Sequence, residues 1–256
     1  MSENLFAKHQ ETLNAAVAAT QSRDYFSPFK ENPSPRAYGE TANKDGENAF
    51  KAHIGADFEL QMPGITGKAG SEKSPYGFDI NTQYPVVDLD VLLPEMEAAR
   101  KAWREIGVEG RTGICLEILE RINKASFEIG YAVMHTSGQG FMMAFQAGGP
   151  HAQDRGMEAV AYAYQAMTSA PGTATWTKPQ GKHDPLVMDK KFTVVGRGLG
   201  LVIGCSTFPT WNTYPGLFAS LVTGNPTIVK PHPAGILPAA ISVKIAQEVL
   251  VEQVLP

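Results

Sequence analysis

Residues 197–238, RGLGLVIGCSTFPTWNTYPGLFASLVTGNPTIVKPHPAGILP, constrain the fold of this chain more than any other stretch. They open with a short apolar run, 199–205, flanked by glycines, which predicts a strand buried on both faces. A loop follows over 206–212. Residues 214–223 carry Leu217, Phe218, Leu221 and Val222 on one helical face, and Gly224 with Asn225 closes them as a C-terminal cap closes a helix. Residues 227–230 predict a second buried strand. From Pro238 onward, Ala239, Ile241, Val243, Ile245, Ala246, Val249 and Leu250 predict another helix with one broad apolar face. Strand, helix, strand, helix with short links begins a parallel α/β sheet, where ligands bind outside the carboxyl ends of the strands. Those ends are residues 205–207 and 230–233.

The remaining 200 or so residues lead up to this stretch. A length of 256 residues suffices for one large or two small domains, and 43% hydrophobic with 19% charged residues excludes a disordered chain. A net charge of −4 gives no footprint for nucleic acid or an anionic membrane. No apolar run approaches the roughly 18 residues of a membrane span, and the polar opening MSENLFAKHQ shows no secretory signal. The expected location is the cytoplasm. Two cysteines cannot make a disulfide framework. The six histidines never pair at ligand spacing with one another or with a cysteine, which predicts no zinc site.

In chain order, residues 4–22 predict a helix with Leu5, Phe6, His9, Leu13, Ala16 and Val17 on one side. Residues 27–74, rich in proline and glycine, predict an irregular segment on the surface. Within it GITGKAGS lacks the lysine and hydroxyl order of a phosphate loop and predicts a flexible loop. Residues 76–87 predict a strand or two. Helical stripes follow: Leu92, Met96, Ala99, Trp103 and Ile106; then Cys115, Ile118, Leu119 and Ile122; then a helix from Ser126 to about Ser137. After a broken segment, QAGGPHAQ, a fourth stripe carries Met157, Val160, Ala161, Tyr164 and Met167. Such stripes are core, so Cys115 is a buried thiol. Gly196, Gly198, Gly200 and Gly204 precede a strand rather than follow one, which rules out a dinucleotide fingerprint and predicts a bend with close packing.

MEAARKAWREIG, RTGICLEILERI, GLGLVIGCSTFP and TGNPTIVKPHP, in that order, resemble the first part of the aldehyde dehydrogenase superfamily. Within it, GCSTFPTWN and IVKPHP are similar to the ring-opening dehydrogenases of phenylacetate breakdown. The similarity is weak over 1–75 and strong from about 86 to 250, and GNPTIVKP is its most specific block. It implies an aldehyde dehydrogenase-like α/β fold: an N-terminal helical segment, then the first β-α-β-α of a Rossmann-like parallel sheet, truncated. Residues 1–85 would be an N-terminal helix and irregular extension, 86–188 the helical segment of the cofactor-binding domain, and 189–256 the incomplete start of its sheet.

The resemblance also implies roles. The family's oxyanion-hole asparagine lies 23 positions before the lysine of the KP pair, and Thr207 lies 23 positions before Lys230 here. Asn212, in the conspicuous Trp211-Asn212 pair, falls instead at the start of the expected helix. Loss of such a donor costs ~10²–10³ in rate. A hydroxyl can donate on a shorter arm, so Thr207 either takes over the role with altered geometry or has lost it. Lys230 matches the lysine that reaches the adenosine ribose hydroxyls, or a 2′-phosphate in NADP-using members. Pro233 stands where many NAD-using members carry a glutamate, a slight lean towards NADP. Cys205 and Ser206 lie near the expected nicotinamide path. His232, the one histidine at a strand's carboxyl end, either meets the cofactor or faces solvent.

Family catalysis needs a nucleophilic cysteine and a glutamate base, and in the family both lie well after the KP motif, beyond position 256. Cys115 falls in a helix stripe and Cys205 has no neighbouring base, so both are expected to be structural. The expectation is therefore the N-terminal portion of an NAD(P)-dependent aldehyde dehydrogenase, acting on a small aldehyde or semialdehyde from aromatic ring cleavage. Its full-length family implies a homo-oligomer, and these 256 residues alone would be inactive. The alternatives are a non-catalytic binding or scaffold protein derived from a truncated dehydrogenase, joined to a partner through the uncovered sheet edge, and an unrelated α/β ligand-binding domain.

Overall fold

A computed structural model gives the structure of residues 4–254. The first elements are α1 (Leu5–Ser22), α2 (Pro35–Tyr38) and α3 (Ala42–Ala52). Four short strands follow, β1 (Ile65–Ala69), β2 (Lys73–Ser74), β3 (Phe78–Asp79) and β4 (Tyr84–Val87). Next comes a helical run of α4 (Leu89–Glu105), α5 (Gly107–Lys124), α6 (Ser126–Ser137), α7 (Phe141–Gly148) and α8 (Pro150–Thr168). The hairpin β5 (Thr173–Gln180) and β6 (His183–Lys191) precedes β7 (Gly200–Ile203), α9 (Tyr214–Val222), β8 (Thr227–Lys230) and α10 (Leu237–Val254).

The core is built around α5, in which every residue from Arg111 to Leu119 is buried. Its apolar side chains Ile114, Cys115, Ile118, Leu119 and Ile122 join one cluster with Leu13 of α1, Val160 of α8, Phe218 of α9 and Val249 of α10. Burial of each large aliphatic side chain is worth about 2 kcal/mol, so a helix apolar nearly all round can only be central. Two glycines set the approach of its neighbours. A Cβ on Gly113 would lie 2.5 Å from the Phe6 nitrogen of α1, and one on Gly156 of α8 would lie 2.8 Å from the Phe218 ring.

The β7-α9-β8-α10 unit is the predicted parallel arrangement. β7 pairs with β8 in register Gly200↔Thr227 through Ile203↔Lys230. The helix between them ends as predicted. Gly224, at φ 95°, donates to the Leu221 carbonyl and Asn225 donates to that of Ser220, which satisfies the last carbonyls of α9. Gly196 is needed for packing, since its Cβ would fall 2.1 Å from the Gly224 oxygen.

Several expectations are corrected. Neither strand of this pair is buried on both faces: Val202 is covered by α9, but Leu201 and Ile203 are 63% and 67% exposed, because a two-stranded sheet with helices on one side leaves the other bare. Residues 27–74 are not irregular throughout. They contain α2 and α3, and Gly46 and Phe50 of α3 are buried. The flexible loop expected at GITGKAGS is β1, antiparallel to β4. Segment QAGGPHAQ breaks only at Gly149, where α7 gives way to α8. In α4 only Leu92 and Trp103 of the predicted stripe are buried. Residues 173–180 and 183–191, within or next to the expected helical segment, form a hairpin exposed along its whole length. Among the described residues no helix is long and apolar enough to cross a membrane.

Candidate functional site

The two strand ends singled out by sequence meet. Ile203 stands opposite Lys230, and the Gly204 nitrogen donates to the Lys230 carbonyl at 2.9 Å, which continues the ladder one residue past both strands. A Cβ at Gly204 would lie 3.0 Å from Thr213 Oγ1, so the glycine lets its own loop fold back tightly. Residues 205–207 and 231–233 leave the two strands at this same end of the pair.

The first loop, 204–213, is ordered by short-range bonds. Thr213 Oγ1 donates to the Pro209 carbonyl at 2.5 Å, and buried Thr210 donates to the Gly148 carbonyl at 2.7 Å, tying the loop to the end of α7. Asn212 lies in the turn just before α9. Its side-chain amide donates to Cys205 Sγ at 3.0 Å and to the Phe208 carbonyl at 3.4 Å. Asn212 thus ties the loop together, while Trp211 packs edge-on against the His151 and Phe208 rings. Thr207 is exposed, its carbonyl accepts from the Gln139 side-chain amide, and no bond to its hydroxyl is present among the described residues.

In the second loop Lys230 is exposed, and among the described residues its ammonium meets only the Pro231 carbonyl, at 3.5 Å. His232 faces solvent and folds on itself, its Nδ1 accepting from the Ala234 nitrogen at 3.1 Å. Pro233 is exposed beside it. The loop ends where α10 starts, and there buried Glu72 accepts from the Ile236 and Leu237 nitrogens at 2.6 and 3.1 Å. Glu72 and Gln139 escaped the sequence reading. Each is an isolated polar residue whose partner lies 68 or more positions away, so no local pattern reports it.

Cys115 is fully buried, and burial pushes its thiol up to about 12, with Arg111 opposing. It cannot serve as a nucleophile near neutral pH. Cys205 is partly exposed, and its sulfur accepts from the Asn212 amide and, at 3.5 Å, from the Phe208 nitrogen. No carboxylate or imidazole bonds to it among the described residues.

Among the described residues three histidines meet acids: His53 lies 2.7 Å from Glu128, His151 lies 2.8 Å from Glu31, and His9 meets two carboxylates at once. His9, Glu117 and Glu120 bring ligand atoms within 4.8 Å of one another. The histidine spacing could not show this, because both carboxylates come from α5. Glu117 is already held by Lys8 at 2.7 Å, His9 at 2.8 Å and Arg121 at 2.9 Å. Two cations on a carboxylate make an ion-pair network that joins α1 to α5 and, through the Arg121–Glu252 pair, to α10.

Comparison with solved structures reveals the larger architecture. The chain is similar to the crystal structure of an NAD-dependent aldehyde dehydrogenase from Burkholderia multivorans, with 58% identity, a TM-score of 0.96, and coverage of 99% of this chain and 45% of that one. It is also similar in fold to Thermus thermophilus 1-pyrroline-5-carboxylate dehydrogenase, at 15% identity and a TM-score of 0.64, covering 88% of this chain and 43% of that one. Betaine aldehyde dehydrogenase from Staphylococcus aureus, solved in complex with NAD+, matches at 14% identity and a TM-score of 0.60, over 80% of this chain and 40% of that one. No protein-family profile and no curated protein sequence matches. The chain spans less than half the length of these structures.

Proposed function

We propose that this chain, whose fold is that of the first part of an aldehyde dehydrogenase, is the N-terminal portion of an NAD(P)-dependent enzyme that oxidises an aldehyde. The observation that carries this reading is the 58% identity over 99% of the chain. The wording of GCSTFPTWN and IVKPHP narrows it to the phenylacetic acid degradation protein PaaN and its kind, with a semialdehyde from aromatic ring cleavage as substrate. Residues 89–168, α4 to α8, would serve as the helical segment of the cofactor-binding domain, and β7 to α10 as the start of its sheet, with the β5–β6 hairpin between them.

The residues at the strand ends fit one half of a nicotinamide dinucleotide. The exposed Lys230 ammonium has donors to spare for ribose hydroxyls, and the Gly204 N–H to Lys230 carbonyl bond joins the two loops at their base. We assign Cys205 and Ser206, after the first strand, and His232 and Pro233, after the second, to the cofactor as well. The bound dinucleotide supplies the hydride acceptor. NAD is the cofactor we favour, since the 58% identical relative is NAD-dependent, although Pro233 offers no carboxylate against a 2′-phosphate. Thr207, its hydroxyl free and its backbone held by Gln139, donates to the oxyanion formed from the aldehyde carbonyl.

The nucleophile and the base that readies water are not supplied by these residues, since Cys115 is sealed and Cys205 lacks a base. The purified chain is therefore expected to show no aldehyde-dependent reduction of NAD or NADP, and a polypeptide extended to the length of its relative is expected to turn over. Steady turnover by the 256 residues alone would refute this assignment of roles. In the extended enzyme, Thr207→Ala should lower kcat by ~10²–10³. Homo-oligomerisation belongs to the same reading and is supported by the exposed β5–β6 hairpin, where Trp176, Leu186, Val187 and Met188 meet no covering layer. A second reading, a non-catalytic scaffold, is favoured by the bare Leu201 and Ile203, which a partner chain would cover. Stable capture of a heterologous partner, without turnover in the extended polypeptide, would favour it.

A further inference from the structure

Helix α10 starts without a cap of its own. The residues between β8 and its first turn, PHPAGI, contain no serine, threonine, aspartate or asparagine, and Ile236, whose carbonyl accepts the Ala240 N–H, stands at the N-cap position. Pro238 has no N–H to satisfy, which leaves Ala239 and, ahead of it, the two donors at Ile236 and Leu237 at the mouth of the helix. The last two are met by one oxygen of Glu72, at 2.6 and 3.1 Å, while its second oxygen accepts from the Tyr84 hydroxyl. Glu72 is 1% exposed. Its own carbonyl accepts from Ile80 and Asn81 at 3.0 and 3.3 Å, so its backbone is pinned ahead of β4. Burial raises its pKa, and the bonds from Tyr84, Leu237 and Ile236 oppose that rise. A carboxylate at the positive end of a helix is favoured over any neutral cap.

The six residues 231–236 are thus held at one end by the β7–β8 ladder and at the other by a carboxylate from a distant part of the chain. Next to Glu72, β2 pairs antiparallel with β3, and the turn between them reaches the other loop: Tyr76 donates to the Gln139 carbonyl at 2.8 Å, and the Gln139 side chain donates to the Thr207 carbonyl. We infer that Glu72 is a positioning residue for the nucleotide site, setting the 231–236 loop and with it Lys230 against residues 205–207. This rests on the reading of that site given above.

The test uses the purified chain with ADP-ribose as probe and amide hydrogen exchange as a separate readout. Glu72→Ala should speed exchange at Ile236 and Leu237 about tenfold or more, as loss of a helix cap does, and weaken ADP-ribose binding about tenfold. Exchange in the core of α5 should stay at the parent level. Glu72→Gln keeps an acceptor oxygen and should hold affinity within about threefold of the parent. If the alanine variant fails to fold, Glu72→Asp, one methylene short of the helix, takes its place with the same expected directions. Faster exchange with unchanged affinity would reduce Glu72 to a structural cap and overturn the proposal, as would unchanged exchange. A parent chain that binds no ADP-ribose would instead sink the nucleotide reading, and this role with it, while the exchange data still report the cap.

Discussion

Arg111 of α5 is the most informative residue to perturb. It is 1% exposed and has no acidic partner. Its Nε donates to the Val222 carbonyl at 3.0 Å, and one Nη1 reaches the Trp103 and Arg104 carbonyls at 3.4 and 3.3 Å, while Nη2 finds no acceptor among the described residues. The cation therefore sits where the carbonyl ends of α4 and α9 converge, and the two helix dipoles stand in for a carboxylate. Burial lowers its pKa, with Cys115 opposing, but a guanidinium stays charged. Arg111→Met keeps most of the apolar stem and removes the head. The short bond is worth about 2 kcal/mol and the two long bonds together about 1 kcal/mol, and relief of the unpartnered Nη2 returns about 1 kcal/mol. Leaving the Val222 and Trp103 carbonyls short of a donor in the interior adds a further penalty, so the net loss should be about 2–3 kcal/mol. Urea unfolding followed by circular dichroism measures it, and for a chain of this size the melting temperature should fall by about 5–10 °C. Arg111→Lys, able to reach only one of the helix ends, should fall between. A methionine variant within about 0.5 kcal/mol of the parent would show that the dipoles contribute nothing net and that the residue only fills space.

Glu117 should govern acid stability. Burial raises its pKa, but hydrogen bonds from Lys8, Arg121 and His9 and the charge of Lys8 outweigh that and hold it at about 2. A depressed carboxylate stabilises above its unfolded value of about 4.3 and loses that contribution as pH falls towards 2. Unfolding free energy should therefore drop by up to ~3 kcal/mol over that window, and Glu117→Gln should flatten the drop. Asp154 behaves oppositely. Burial pushes it up to about 6 against the Ser27 hydrogen bond, so its neutral form is the favoured one, and stability is lost as pH rises through about 6. Asp154→Asn should come nearest the parent at about pH 4 or below and exceed it at pH 8 in thermal melts, and a variant weaker at both values would contradict this. Replacing the β5–β6 hairpin with a short glycine-serine link should leave the melting temperature within a few degrees while reducing the mass seen by light scattering, as all of its residues lie outside the core.

The β7-α9-β8-α10 unit was legible because its signals are local. A glycine-asparagine cap, an apolar helical face and two short aliphatic runs placed each boundary within two residues. What sequence missed was written at long range. Helix α3 has a mostly polar sequence, and it is held by a glycine, Gly46, pressed so closely on Phe127 of α6 that a Cβ would lie 2.3 Å away. Periodicity cannot see such a contact. Strand β1 buries no side chain, so its only signature is backbone pairing with β4. At the site, counting back from Lys230, which needs no tertiary knowledge, pointed to Thr207 rather than Asn212, and the structure shows the Asn212 amide bonded to Cys205 and Phe208. Glu72 and Gln139 could not be found that way.

Synthesis gives the Glu72 clasp a direction in time. Its partner at Ile236 follows 164 residues later, which at ~5–20 residues per second is a wait on the order of 10–30 s. Through that interval the carboxylate has no helix end to meet, and so it stays hydrated while α5 and α8 already have partners to pack against. The arrival of α10 then seals the Glu72 carboxylate, whereas its neighbours Ser74, Phe78, Thr82 and Tyr84 already have partners in His135, His53 and Phe58. A nascent chain arrested before residue 236 should therefore keep the 72–84 segment folded but leave the Glu72 carboxylate in water, a cap written early and completed only at the end.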